Sequence, residues 1–131
     1  MIIGSPTLDG ATILLLEDEA VIGMAIREFL LAAGAVEVVH AYSSESAFER
    51  LEEYSFDAAV LDVRLPDGTC FDVAVELNKR DVALVFHSGH EVDFQASFPN
   101  AIVCSKPATT TQLVNAIGRA RKALVAATDQ H

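Results

Sequence analysis

Residues 58–68 of the chain are Ala-Ala-Val-Leu-Asp-Val-Arg-Leu-Pro-Asp-Gly, an apolar run that ends at the carboxylate of Asp62. Because its apolar residues are continuous rather than alternating, the run predicts a strand that is buried on both faces. Pro66, Asp67 and Gly68 favour a turn soon after it, since they supply a fixed φ, a local hydrogen-bond acceptor and a permissive φ. Asp62 is therefore a charged group at the end of a buried strand, where it is available for chemistry.

Four other short apolar runs rich in Val, Ile and Leu accompany this one, at residues 13–16, 36–39, 82–86 and 101–104. Segments with apolar residues at helical spacing lie between most of them. This alternation predicts a doubly wound α/β domain, with a five-stranded parallel sheet, right-handed crossovers and helices on both faces. Only the crossover at residues 89–100 is weak, because Pro99 ends any helix there, so we expect a short or irregular fourth helix.

Length and composition predict one folded domain. The chain has 131 residues, of which 51% are hydrophobic, and we place the domain at residues 11–125 between tails at 1–10 and 126–131. The formal charge of −10 opposes binding to nucleic acid or to an anionic membrane surface. No apolar run approaches the ~18 residues of a membrane helix, and the N-terminal stretch lacks the basic and apolar regions of an export signal. We therefore expect a cytoplasmic protein without membrane insertion.

Reactive side chains follow the apolar runs at the points where the predicted strands end. Besides Asp62 they are Glu17 and Asp18 after the first run, Ser88 after the fourth and Lys106 after the fifth. The carboxyl ends of the strands form the ligand-binding edge of open α/β sheets, so we expect these groups to lie close together. Three neighbouring carboxylates repel one another unless a cation lies among them or a pKa rises. Oxygen ligands of this kind are typical of Mg2+.

Each of these residues has an ordinary alternative when it is considered alone. Glu17 and Asp18 can simply favour the positive end of the following helix. Asp62 can be a polar strand terminator, Ser88 a turn serine and Lys106 an exposed loop lysine. Only their combination favours a functional site.

Three motifs carry these residues: Leu-Leu-Leu-Glu-Asp-Glu at 14–19, Leu-Asp-Val-Arg-Leu-Pro-Asp-Gly at 61–68 and Ser-Lys-Pro at 105–107. Together they resemble the receiver domain of two-component response regulators, over nearly the whole chain from residue 11 to residue 124. The resemblance implies a flavodoxin-like fold with strand order 2-1-3-4-5. It also implies a signalling phosphoacceptor rather than an enzyme, with only self-catalysed phosphoryl transfer and slow autodephosphorylation.

The resemblance assigns the phosphoacceptor and the metal ligands. Asp62 would attack a phosphohistidine of a sensor histidine kinase or of a histidine phosphotransferase. Asp18, Asp62 and the backbone carbonyl of Arg64 would hold Mg2+, and Glu17 would join them through a water. Phosphorylation would then change the surface that the domain presents to a downstream protein, which the sequence does not identify.

The resemblance implies that two further residues contact the phosphoryl group. Lys106 would offset its charge during transfer, so that catalysis is mainly positioning and electrostatics. Ser88 would donate a hydrogen bond to a phosphoryl oxygen and draw its loop inward. Arg64 and His90 flank the expected pocket, and we hypothesise that they tune the lifetime of the acyl phosphate.

The chain departs from the commonest receiver pattern at the positions that concern switching. Val103 occupies the place where many receivers have a switching Tyr or Phe, and the crossover at 89–100 is shortened, which leaves the oligomeric state open. Phe-His-Ser-Gly-His at 86–90 partly resembles the Phe-Ala-Thr-Gly signature of a subgroup that is often stand-alone and lacks the aromatic switch. We therefore expect a single-domain response regulator of this kind.

Two other functions remain as alternatives. One is a receiver-like module that binds its partner without phosphorylation. The other is a Mg2+-dependent phosphatase with an aspartyl-phosphate intermediate, although Arg64 occupies the position where such enzymes need an acid. A nucleotide-binding role is weaker, because no glycine-rich phosphate loop follows the first strand.

Overall fold

The protein is described by a computed structural model that covers residues 8–129. Its elements in chain order are β1 (Thr12–Leu16), α1 (Ala20–Ala32), β2 (Glu37–Ala41), α2 (Ser44–Glu53), β3 (Ala58–Asp62), β4 (Arg64–Leu65), β5 (Gly68–Thr69), α3 (Phe71–Lys79), β6 (Ala83–Ser88), a 3-10 helix (Gln95–Ser97), β7 (Ile102–Ser105) and α4 (Thr110–Asp129). Within residues 8–129, none of the helices has the length and apolar character needed to cross a membrane.

Five parallel strands form the central sheet in the order β2-β1-β3-β6-β7. The predicted doubly wound fold and its strand order are confirmed, since β4 and β5 form a separate hairpin outside this sheet. Strand β2 begins one residue later than its apolar run predicted, because the exposed Val36 precedes the ladder and its N–H donates to Ala11 O. Strand β6 extends to Ser88, which brings that hydroxyl to the edge of the sheet.

Two hydrophobic cores cover the two faces of the sheet, because alternate residues of each strand point to opposite sides. The first core joins the sheet to α2 and α3 through residues such as Leu51 and Leu77. The second joins it to α1 and α4 through residues such as Leu30 and Ile117. Both cores consist of apolar side chains, and the buried polar residues Glu17, Asp62, His87 and Ser88 lie at the carboxyl ends of the strands.

The fourth crossover is short, as predicted: between β6 and β7 it contains only one 3-10 turn, Gln95–Ser97. Aromatic packing fixes this segment in place of a regular helix. Phe94 and Phe98 lie edge-on or tilted against Phe71 and Phe86, with ring centroids 5.2 to 5.8 Å apart. Such pairs are the favoured arrangement of aromatic rings in a core.

A small hairpin follows β3 and was not predicted beyond its turn. In it Arg64 pairs with Thr69 and Leu65 with Gly68, whose φ of 129° suits glycine. Asp67 at its tip accepts hydrogen bonds from the backbone N–H groups of Ser44 and Glu45 at 3.3 and 3.4 Å. The turn after Asp62 is therefore tied to the N-terminus of α2, where a carboxylate is favoured.

The bounds of the domain, at residues 11 and 125, stay a prediction. Leu8 is already buried in the core and Gly10 N donates to Gly34 O, while residues 1–7 of the predicted N-terminal tail lie outside the described residues. At the other end α4 continues to Asp129, past residue 125.

Candidate functional site

Three carboxylates meet at the carboxyl ends of β1 and β3. One oxygen from each of Glu17, Asp18 and Asp62 lies within 4.8 Å of the other two. Glu17 and Asp62 are buried, with 1% and 8% of their surface exposed, whereas Asp18 is open to solvent. The sequence prediction that these acids converge is thus matched by their positions.

The loop after β1 is held by hydrogen bonds to its own acid and to β2. Glu17 N donates to Ala41 O at 3.0 Å, which continues the parallel ladder by one residue. Glu17 Oε2 accepts the backbone N–H of Glu19 at 2.9 Å. The other oxygen, Oε1, is buried and accepts no hydrogen bond from the residues at 8–129. A buried carboxylate oxygen without a hydrogen-bond donor suits a cation nearby.

Burial and mutual repulsion raise the pKa of two of these acids. For Glu17 the largest cause is desolvation, which the hydrogen bond from Glu19 partly offsets, and Asp62 adds repulsion. For Asp62, desolvation again raises the pKa most, while the charge of Lys106 acts in the opposite direction and Asp18 adds to the rise. A divalent cation at this cluster would lower both pKa values, so the donor set fits Mg2+.

Lys106 is the cation that the fold itself places in the cluster. Its Nζ lies 3.3 Å from Asp62 Oδ1 and 3.8 Å from Glu17 Oε1. Lys106 N donates to Ser88 O at 2.8 Å, and the Lys106-Pro107 peptide bond is cis. The ammonium group therefore faces the carboxylate at the end of β3 and can also meet an anion bound there.

Ser88 ends the strand next to β3, but its hydroxyl is engaged within its own loop. Ser88 Oγ donates to His90 O at 2.9 Å and accepts the His90 N–H at 3.1 Å. The side chain of His90 is exposed, as is that of Arg64 at the start of the hairpin. Val103 on β7 is partly buried against the core, where its small side chain takes the place of the aromatic ring that many receivers have.

His87 is a buried polar residue of the site that the sequence reasoning did not single out. It pairs in register with Asp62 and is 7% exposed. Desolvation, with a smaller contribution from the charge of Lys106, lowers its pKa from 6.5 to about 4. Its Nε2 is buried without a hydrogen-bond partner among the described residues. The signal was present in the sequence, since this histidine directly follows the apolar run at 82–86 and continues its predicted strand.

Comparison with protein families identifies the family of this chain. A family model described as "Response regulator receiver domain" matches residues 13–118. The chain belongs to the response regulator receiver domain family. Receiver domains of this family are in general signalling phosphoacceptors, and their acidic pocket binds Mg2+.

Solved structures of other proteins resemble this receiver domain over most of its length. A response regulator receiver protein from Sinorhizobium medicae WSM419 is 30% identical, with a TM-score of 0.79 over 89% of this chain and 98% of that one. SdrG from Sphingomonas melonis Fr1 is 33% identical, with a TM-score of 0.66 over 91% and 98%. A response regulator receiver domain protein from Clostridium thermocellum is 28% identical, with a TM-score of 0.74 over 86% and 94%. A comparison with curated proteins gave no match.

Proposed function

We propose that this receiver domain accepts a phosphoryl group on Asp62 from a phosphohistidine and thereby switches its binding to another protein. The observation that carries the proposal is the surroundings of Asp62. Its buried carboxylate lies 3.3 Å from the ammonium group of Lys106 and shares a 4.8 Å cluster with Glu17 and Asp18. A nucleophile, a countercharge and a cation site are thus provided by four side chains.

The proposed transfer forms one bond and breaks one. A carboxylate oxygen of Asp62 attacks the phosphorus, the P–N bond of the phosphohistidine breaks, and its electron pair returns to the imidazole of the donor. Lys106 offsets the negative charge on the phosphoryl oxygens, so the chain contributes mainly positioning and electrostatics. Mg2+, held by Glu17, Asp18, Asp62 and the carbonyl of Arg64, would supply further charge neutralisation.

The proposed switch begins at Ser88. Its hydroxyl now bonds to the backbone of His90 at both the carbonyl and the N–H. A phosphoryl oxygen on Asp62 would compete for the hydroxyl donor, and this competition would favour a second arrangement of the loop after β6. That loop continues into the aromatic segment around Phe94 and Phe98, which packs against Phe86. A change in the loop could reach the surface through this segment and would not need an aromatic residue at position 103.

The partners follow from this chemistry by class. We propose a sensor histidine kinase or a histidine phosphotransferase as the phosphoryl donor and a protein as the recipient of the signal. The partial Phe-Ala-Thr-Gly signature at 86–90 supports a single-domain regulator, and we propose that it acts in the cytoplasm. The chain is proposed to act as a signalling domain rather than as an enzyme with turnover.

Removal of Mg2+ tests the metal part of the proposal. The purified protein would be incubated with a phosphoramidate donor in Mg2+ or in EDTA, and the phosphorylated fraction would be followed by intact-mass spectrometry. We expect the initial rate to fall at least about tenfold in EDTA and to recover when excess Mg2+ is added, because the carboxylates would otherwise repel the phosphoryl oxygens. Equal rates in the two conditions would contradict a metal role.

Arg64 and His90 are proposed to tune the lifetime of the phosphoryl group. Both side chains are exposed beside the strand ends, where they can obstruct or orient an attacking water. We expect Arg64→Ala and His90→Ala to change the dephosphorylation rate while initial labelling persists. The decay of the phosphorylated mass after removal of the donor measures this rate, and unchanged decay in both variants would dismiss the hypothesis.

A further inference from the structure

His40 on β2 lies against helix α1 at a position where only glycine leaves room for its ring. A Cβ atom added to Gly23 would overlap the Cε1 and Nε2 atoms of the His40 imidazole. The imidazole also packs against Tyr42, whose ring is tilted by 34° against it at a centroid distance of 4.1 Å. Gly23 thus leaves a slot in which the imidazole lies in this orientation, in contact with Tyr42.

In that orientation His40 reaches the acid cluster through the main chain. Its Nε2 lies 2.8 Å from the carbonyl oxygen of Glu17. A carbonyl oxygen only accepts hydrogen bonds, so Nε2 must carry the proton and donate it. This hydrogen bond goes to the main chain and not to a carboxylate oxygen of the acid cluster. Any effect of His40 on cation binding must therefore pass through the backbone of Glu17.

Both backbone polar groups of Glu17 are therefore held by β2. The N–H donates to Ala41 O at 3.0 Å, and the carbonyl accepts from His40. The next peptide unit carries Asp18, and Glu19 O accepts the N–H of Gly23 at 2.9 Å. The loop with two of the three clustered carboxylates is consequently fixed on one side by His40 and on the other by the start of α1.

We propose that His40 is a positioning residue for divalent cation binding, seated in the slot made by Gly23, and that it fixes the Glu17-Asp18 backbone so that its carboxylates face Asp62. This inference rests on the proposed function, because it assigns a residue to the metal site of that function. Groups that orient metal ligands commonly change metal affinity by 10 to 100-fold when they are lost. The Glu17 carbonyl is not itself a ligand and lies several covalent bonds from the carboxylate oxygens of Glu17 and Asp18, so we expect the lower end of that range.

The first test compares two replacements of His40 by direct Mg2+ binding. Titration of the unphosphorylated protein with Mg2+, followed by amide chemical shifts, gives the dissociation constant without any need for phosphoryl transfer. His40→Phe keeps a flat ring in the slot but has no donor, and we expect Mg2+ to bind about tenfold more weakly. His40→Gln supplies an amide N–H, and we expect it to recover part of the loss. Urea unfolding of each variant confirms that it is folded.

A double-mutant cycle separates positioning from general packing. Gly23→Ala displaces the ring without changing its chemistry, so we expect it to weaken Mg2+ binding as His40→Phe does. Once His40→Ala has removed the ring, Gly23→Ala should have no further effect on affinity, because the added methyl group has nothing to displace. Val21→Ala, at an exposed site on the same helix, is the matched control and should bind Mg2+ as the natural chain does.

The outcomes distinguish this inference from the proposed function. Natural affinity in folded His40→Phe and in Gly23→Ala would overturn the role of His40 and leave the metal site intact. Additive losses in the cycle would also overturn it, since the two residues would then act independently. Absence of Mg2+ binding by the natural chain would overturn both the inference and the metal site of the proposed function.

Discussion

Asp62→Ala is expected to abolish phosphoryl labelling of this receiver domain altogether. Among the three clustered acids, Asp62 is the one whose oxygen lies 3.3 Å from Lys106 Nζ and at the end of a central strand. Asp18 is exposed, and Glu17 already uses one oxygen to bind the N–H of Glu19. Neither is placed to replace the lost nucleophile. Intact-mass spectrometry after incubation with acetyl phosphate and Mg2+ measures the phosphorylated fraction.

A control variant and the stability of Asp62→Ala exclude a loss of labelling through unfolding. Asp93→Ala removes an exposed carboxylate from the loop after β6 and should be labelled like the natural chain. Desolvation and Asp18 raise the pKa of Asp62, which means that its charged form is disfavoured in the folded protein. Without Mg2+, we therefore expect the free energy of unfolding of Asp62→Ala to be no lower than that of the natural chain. A normally labelled Asp62→Ala protein would show that another residue is the acceptor.

Acid is expected to destabilise the domain through His87. Burial lowers the pKa of this histidine from 6.5 to about 4 in the folded protein, so the unfolded chain binds more protons between these values. The free energy of unfolding therefore falls as pH decreases through this window, by about 3 kcal/mol from this residue when pH 4 is reached. Above pH 6.5 the contribution is fully present, because the imidazole is neutral in both states.

His87→Leu isolates this effect. Leucine fills the buried site with an apolar side chain and cannot take up a proton, so its stability should depend less on pH. Urea unfolding of both proteins at about pH 7 and pH 4 gives the difference, and we expect the natural chain to lose about 3 kcal/mol more than the variant. The raised pKa values of Glu17 and Asp62 act in the opposite direction, since protonation favours the folded state, but they are present in both proteins. Parallel pH profiles would contradict the prediction.

The fold and the acid cluster could be predicted from sequence because parallel strands align their carboxyl ends at one edge. The apolar run that ends at Asp62 and the one that precedes Lys106 place these two groups at the same edge, on strands that β6 separates, and the 3.3 Å contact is found there. Pro99 likewise predicted the short crossover before β7. In each case a local pattern and one general rule of topology were sufficient.

Two of the contacts that the sequence did not predict join residues that are distant in the chain. His40 and Gly23 belong to a strand and a helix with no shared periodicity, and their fit depends on the packing distance between those elements. The same holds for Asp67, whose hydrogen bonds reach the first turn of α2 from a turn that was expected to be only local. The engagement of Ser88 with His90 depends on side-chain orientation, which hydrophobic patterns do not determine.

The residue that carries the phosphoryl group decides whether Asp62 is the acceptor. After labelling with acetyl phosphate and Mg2+, reduction with borohydride converts an aspartyl phosphate to homoserine, and peptide sequencing by mass spectrometry locates it. We expect homoserine at residue 62 and at no other aspartate of the chain. Modification of a different residue, or no homoserine in a protein that gains the phosphoryl mass, would contradict it.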